Sequence, residues 1–240
     1  VDPITLSVVR GILETTQREM TLSLEKTARS SVLNLARDYS TSLFNATPEM
    51  ILQGQDIPIH LGSLMPAMKA VAQFFTGDIH EGDLILHNDP EYNGSHILDM
   101  CIYKPVFFEG KHVFWTVCKG HLTDAGGPVP ASYNPEATEI FAEGLRVPPI
   151  KLWDKGKQRD DILNMILTNM RARRNQEGDV ERELVVDRIN NMDNSIIIVD
   201  EAHNLTNNEY GEALKKIISV SQNLKVILLT ATPMKNLADD

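Results

Sequence analysis

The strands this chain can form are of two kinds, and the change from one to the other falls near Asp179. Ahead of it, β-rich runs are interrupted by turns and prolines. Leu98 to Phe108 and His112 to Cys118 flank Glu109-Gly110-Lys111, which is a hairpin signal. Beyond it, Ile196-Ile197-Ile198-Val199 and Val226-Ile227-Leu228-Leu229 are wholly apolar, and the stretch between them, Glu209 to Val220, reads as helix. Unbroken apolar strands separated by a helix indicate a parallel sheet buried on both faces. Eleven of the twelve prolines lie at or before Pro149, and Tyr210 is the one aromatic after Trp153, so composition changes with pattern. The expectation is an α+β segment over residues 1–179, with helices on a mixed sheet, followed by a fragment of parallel α/β sheet over 180–240. No Pro-, Gly- or Ser-rich linker marks the join. Glu181-Arg182-Glu183-Leu184 reads as continuing helix. The division rests on content, and a chimera of two unrelated pieces is the expectation.

Local signals fill in the first segment. Asp2-Pro3 can cap and open a helix, and Leu6, Val9, Ile12, Leu13, Met20 and Leu24 recur at helical spacing through to about Leu35. Arg37 to Phe44 and Met50 to Leu52 read as strands around a turn at Asn45 to Pro48. Ile57-Pro58-Ile59-His60 reads as extended, since Pro58 suits an edge strand. Gly62 to Phe75 reads as a helix with Pro66 in its first turn. Asp83 to His87 is a short strand, Asn88 to Ser95 a polar loop, Gly120 to Ala137 a loop, and Asp160 to Asn175 a helix.

The totals exclude some classes. A net charge of -10 argues against a general nucleic-acid-binding surface, which would be basic. No apolar run approaches a membrane span, and no secretory signal is visible, so cytoplasmic is the default expectation. Cys101 and Cys118 form no C-x-x-C motif and no disulfide framework. They read as reduced, buried thiols, with a facing arrangement across the hairpin as the alternative.

Six of the seven histidines lie between His60 and His121. His96-Ile97-Leu98-Asp99 reads H-x-x-D, and Gly120-His121-Leu122-Thr123-Asp124 repeats that spacing one strand later. If the two strands pair, these residues meet at neighbouring ends of one sheet, and Asp38, at the start of another strand, adds a hard oxygen. Imidazole and carboxylate donors from separate segments suit Zn, Mn or Fe better than Ca or Mg. Taken singly, each histidine is an ordinary surface or core residue, and H-x-x-D is a weak motif.

Residues from about Ile4 to Asp179 resemble the N-terminal part of the hydantoinase B family. The motifs that carry this are Arg37-Asp38-Tyr39-Ser40, Ile57-Pro58-Ile59-His60-Leu61-Gly62-Ser63-Leu64-Met65, Asn88-Asp89-Pro90, Gly94-Ser95-His96-Ile97-Leu98-Asp99 and Gly120-His121-Leu122-Thr123-Asp124-Ala125-Gly126-Gly127. The resemblance implies that Asp38, His96, Asp99 and His121 hold a divalent metal, Zn or Mn, that Asp124 orients His121, and that His60 and Asp89 line the same site. It implies a subunit of an ATP-dependent cyclic-amide hydrolase (hydantoin, oxoproline or lactam) or of a ketone carboxylase. ATP would be used by a hydantoinase A-type partner subunit, which phosphorylates the substrate oxygen. The segment is only the front part of such a subunit.

Asp200-Glu201-Ala202-His203 follows the first apolar strand and Thr230-Ala231-Thr232-Pro233 the second. In nucleotide-hydrolysing folds, acids at a strand's carboxyl end hold Mg and polarise the attacking water. The pair of motifs resembles motifs II and III of superfamily 2 helicases, and so a piece of a RecA-like sheet. No G-x-x-x-x-G-K-[ST] accompanies them. The two Gly-Lys pairs, Gly110-Lys111 and Gly156-Lys157, are followed by His112 and Gln158, with Pro105 and Lys151 where the first glycine belongs. Asp200 and Glu201 therefore read as vestigial, with no nucleotide or Mg to serve and no helicase activity expected.

Overall fold

The structure is a computed structural model that describes residues 2–55, 57–171 and 173, and the backbone of two strands at 196–199 and 225–228. The chain divides into two units, Val1–Val186 and Asp187–Asp240.

The first unit is built on seven strands: β1 (Tyr39–Asn45), β2 (Met50–Gln53), β3 (Leu84–His87), β4 (Asp99–Phe108), β5 (Lys111–His121), β6 (Ile150–Asp154) and β7 (Lys157–Gln158). They lie in the order β2-β1-β5-β4-β3-β6-β7. Every neighbouring pair is antiparallel, so this sheet is not mixed and has no RecA-like parallel character. The connections explain it: β1–β2, β4–β5 and β6–β7 are joined by short turns, and only antiparallel strands can be joined so. Strands β6 and β7 fall in a stretch for which the sequence carried no strand expectation. In the second unit, β8 (Ile196–Val199) and β9 (Lys225–Leu228) pair in parallel. The helix expected between them, and that at 181–184, lie outside the described residues.

Among the described residues of the first unit, four α-helices accompany the sheet: α1 (Pro3–Thr27), α2 (Ser31–Asn34), α3 (Pro58–Phe74) and α4 (Asp160–Thr168). Asp2 caps α1 as expected, accepting from the amides of Ile4 and Thr5. Only the C-terminal half of α1 packs on the sheet, through Met20 and Leu24; Ile4, Leu6 and Ile12 are exposed. Helix α3 begins earlier than the sequence suggested. Pro58 sits in its first turn, so residues 58–60 are helical and not extended, and Pro66 lies inside the helix. A proline that suits an edge strand equally suits the first helical position, where its missing N–H costs nothing. The difference matters because it puts His60 in the first turn of α3.

Side chains alternate across a strand, so the two sheet faces can be read from register. One face carries Phe44, Trp115, Val117, Tyr103, Cys101 and Ile85, packed under Leu64, Met68 and Val71 of α3. The other carries Leu84, Leu86, Met100 and Ile102 against Leu163, Ile166 and Leu167 of α4, and Tyr39 and Cys118 against Leu24 and Leu33. Cys101 pairs with Lys119, and Cys118 with Ile102, so the two buried, free thiols point to opposite faces and do not face each other. Near its turn the β4–β5 hairpin pairs Phe107 with His112, then Val106 with Phe114, so Val113 is an extra residue bulging from β5. No described helix is long and apolar enough to cross a membrane.

His87 ends β3 fully buried, its ring 5.5 Å from that of Tyr103. Burial pushes its imidazole down to about 4, against the upward pull of the Asp89 carboxylate. The unfolded chain then binds a proton that the native state refuses. This contribution to stability is complete above about pH 6.5, the ordinary histidine value, and is lost as pH falls from there towards 4. Urea midpoints followed from pH 7.5 to 4.5 should decline through that window, and His87→Phe should make the decline shallower by about one proton.

Candidate metal centre

Three elements deliver the polar cluster at one end of the sheet. The β4–β5 register sets Asp99 opposite His121. The amide of His121 donates to the Asp38 carbonyl at 2.9 Å, which fixes Asp38 just ahead of β1. The first turn of α3 brings His60 over the same sheet end.

The distances are short. His121 Nδ1 lies 2.9 Å from Asp99 Oδ1, and His96 Nδ1 lies 3.9 Å from the same oxygen. One donor atom from each of His96, Asp99 and His121 falls within 4.8 Å of the others. The rings of His96 and His121 stack, with centroids 5.3 Å apart and planes 12° from parallel. Asp38 Oδ2 is 4.0 Å from His121 Nδ1, and Asp38 Oδ1 is 3.4 Å from His60 Nε2. His60 Nε2 is also 3.5 Å from Asp99 Oδ2. Two carboxylates and three imidazoles thus converge from four chain segments. That donor set and spacing fit a divalent cation of the Zn or Mn type, whose nitrogen and oxygen ligands lie about 2.0–2.2 Å from the metal.

Electrostatics favour donor-competent forms at Asp99 and His60, and oppose one at His96. Burial alone would raise the Asp99 carboxyl, but contacts with His121 and His96 and the Lys119 ammonium outweigh it and hold it far below the usual carboxylate range. Burial lowers His60 and keeps its imidazole neutral, against the pull of Asp99 and Asp38. Asp99 raises His96, so protons compete with any cation at that ring.

Two expected site residues have other partners. The carboxylate of Asp124 accepts from the amides of Gly126, Ala131 and Arg171 and from the Arg171 guanidinium, and no hydrogen bond to His121 is among its contacts. It organises the loop after β5, and the carboxylate within hydrogen-bond distance of His121 is that of Asp99. Asp89 caps a short turn through the amide of Glu91 and pairs with Arg146 at 2.7 Å. It braces the loop that carries His96 and does not enter the donor cluster. Its neighbour Asn88 ties that loop down, donating to the carbonyls of Ile97 and Leu145 and accepting from the amide of Val147.

Lys119, Ser63 and Ser95 were not foreseen. Lys119 is 1% exposed, and its Nζ contacts Ser63 Oγ at 2.7 Å, Asp99 Oδ2 at 3.2 Å and Ser95 Oγ. The signal was present in the alternation of β5: Lys119 shares the inward face of Trp115 and Val117. Beside the cluster a cleft is lined by His96 and His121 together with Val32, Leu98, Leu122 and Tyr133. Asp200 and Glu201 lie outside the described residues.

An antiparallel sheet between helices, with acids and imidazoles gathered at one end, defines a class that comparison makes specific. Residues 2–185 match the hydantoinase B/oxoprolinase family, and the chain belongs to that family. Over 183 residues it is 72% identical to the caprolactamase subunit beta of Pseudomonas jessenii, covering 76% of this chain and 32% of that protein. The crystal structure of the ATP-dependent caprolactamase from the same organism superposes with a TM-score of 0.74 at 71% identity, over 78% of this chain and 32% of the other. A nucleotide-free acetone carboxylase shares the fold, with a TM-score of 0.71 at 21% identity, over 77% of this chain and 25% of that one. The chain therefore spans about a third of the caprolactamase subunit it matches. Residues 154–239 match the DEAD/DEAH box helicase model. Over 83 residues the chain is 52% identical to the RNA helicase-type protein L377 of Acanthamoeba polyphaga mimivirus, covering 35% of this chain and 7% of that protein.

Gly94 allows the loop before His96 to close. A Cβ there would lie 2.2 Å from the Asn88 carbonyl oxygen, which is backbone and cannot swing away. Gly94→Ala should cost about 1–3 kcal/mol in chemical denaturation and weaken uptake of added Zn. Gly62→Ala, whose Cβ meets nothing within 4 Å, should do neither.

Proposed function

We propose that residues 1–179 form the metal-holding front part of a subunit in an ATP-dependent enzyme that opens small cyclic amides. The observation that carries this reading is the convergence of His96, Asp99 and His121, with Asp38 and His60 beside them, in a chain 72% identical to a caprolactamase subunit. That identity favours a lactam over a ketone substrate, since the acetone carboxylase likeness extends to the fold alone. Zn or Mn is the ion the mixed donor set suits. Asp38, His96, Asp99 and His121 are the residues that would hold it. When bound, such an ion supplies polarisation of a substrate oxygen and acidification of a water near neutral pH.

The protein's own contribution is orientation. His60 presents Nε2 to both carboxylates and, kept neutral by burial, steadies their facing oxygens without cancelling their charge. The largely apolar walls of the neighbouring cleft (Val32, Leu98, Leu122 and Tyr133) suit the methylene part of a lactam ring beside His96 and His121. ATP would be used on a partner subunit of the hydantoinase A type. A partner subunit is supported by the relative being one subunit of an ATP-dependent caprolactamase, and its hydantoinase A type is what the family resemblance implies. Residues 180–240 are proposed to be an inert helicase-like piece joined to this segment, because the sequence holds no phosphate-cradling loop to accompany Asp200 and Glu201.

Elemental analysis of the purified chain tests the reading. About one equivalent of Zn or Mn should be present, and His121→Ala or His96→Ala should abolish it, since each removes one of few donors. A metal-free wild type that also refuses added Zn and Mn would overturn the proposal. Truncation after Asp179 should leave metal content unchanged if the two pieces are independent.

A further inference from the structure

We propose that Lys119 is a positioning residue that makes Asp99 a single-oxygen ligand and so tunes the charge and selectivity of the metal centre; this rests on the metal-holding reading above. The argument begins with proton accounting. An ammonium has three donors and no acceptor, and Lys119 Nζ faces three acceptors: Ser63 Oγ, Ser95 Oγ and Asp99 Oδ2. Each serine passes its own proton onward, Ser63 to the His60 carbonyl at 2.8 Å and Ser95 to Asp99 Oδ2 at 2.9 Å. The network is closed, which is what a lysine 1% exposed requires.

The consequence falls on Asp99. Its Oδ2 is engaged by a lysine and a serine, while its Oδ1 faces His121 Nδ1 and His96 Nδ1. The two oxygens of one carboxylate are therefore assigned to different tasks: Oδ2, which also lies 3.5 Å from His60 Nε2, is held by the lysine and the serine, and Oδ1 is the oxygen turned to the imidazoles of His96 and His121. A carboxylate held to one oxygen suits the small coordination shell of Zn, whereas Ca favours more oxygens and often bidentate carboxylates. Charge points the same way. Asp38 and Asp99 bring two negative charges, and Lys119 returns one positive charge through a 3.2 Å contact. A divalent ion there keeps net positive character, which preserves its pull on a substrate oxygen at the expense of binding strength.

The test uses the full chain, stripped of metal and titrated with Zn2+ or Ca2+ against a chromophoric chelator, with zinc-edge X-ray absorption on the loaded protein. Lys119→Met removes both charge and donors. It should bind Zn2+ more tightly, on the order of tenfold, lose discrimination against Ca2+, and add one oxygen to the zinc shell. Lys119→Gln removes the charge but keeps a donor, so affinity should rise while the shell stays unchanged, and it serves if Lys119→Met fails to fold. A lysine needed only to hold the scaffold would give lower Zn2+ affinity in both variants with unaltered discrimination, and that result, or no change in either variant, overturns the inference. Failure of the wild type to bind Zn2+ would instead overturn the metal-holding reading on which it rests.

Discussion

The two oxygens of the Asp99 carboxylate are the point through which the rest of the first unit is organised. One faces the imidazoles of His121 and His96, and the other faces Lys119 and Ser95. A carboxylate this buried would ordinarily be forced towards its neutral form. Here it stays ionised because cationic and hydrogen-bonding groups surround it, and those groups come from β5, the loop before β4 and, through His60, from α3. Removing one member of such a set leaves another buried group uncompensated, which costs more than the contact itself gains.

The loops on either side of this cluster are held by groups that take no part in it. Asn88 and the Asp89–Arg146 pair brace the segment that ends in Ser95 and His96. Asp124, Ser132 and Arg171 brace the segment after His121, where Ala131 and Ser132 both adopt left-handed backbone. Ala131 and Ser132 have side chains that disfavour that conformation, so the bonds from their backbone and hydroxyl groups offset a real local cost. The cleft beside His96 and His121 is lined partly by this strained segment, through Ala131 and Tyr133.

Much of the cluster was legible because its spacing follows from hairpin geometry. Two H-x-x-D sequences flanking a predicted hairpin meet if the strands pair, and they do so through Asp99 and His121. What the spacing could not say is which acid serves which histidine. Asp124 and Asp99 stand in the same relation to their histidines in sequence, yet Asp99 is inside the first residue pair of the hairpin while Asp124 lies beyond the strand, free to bond its own loop. Lys119 is not legible because the strand expected over His112 to Cys118 stops one residue short of it; β5 runs on to His121, and its alternation places Lys119 inward with Trp115 and Val117. Helix α3 was begun too late because proline before a histidine carries the same weight as an edge-strand signal and as a first-turn signal. Strands β6 and β7 escaped because β7 is two residues long and its pairing depends on a turn at Lys155-Gly156, not on any apolar pattern.

The extra residue at Val113 has a consequence for the whole assembly. Counting outward from the turn, residues paired at Phe108–Lys111 and Phe107–His112 would continue to Asp99 opposite Gly120, leaving His121 aimed at the far side of the sheet. One unmatched valine changes the parity of the ladder, and from Val106–Phe114 onward every partner is displaced by one, so that acid and imidazole arrive together. The distal loop and the chemical end are thus linked by arithmetic alone. Evolution can lengthen or trim the hairpin by matched pairs without disturbing the far end, but a single unmatched insertion anywhere along it turns one strand's side chains over.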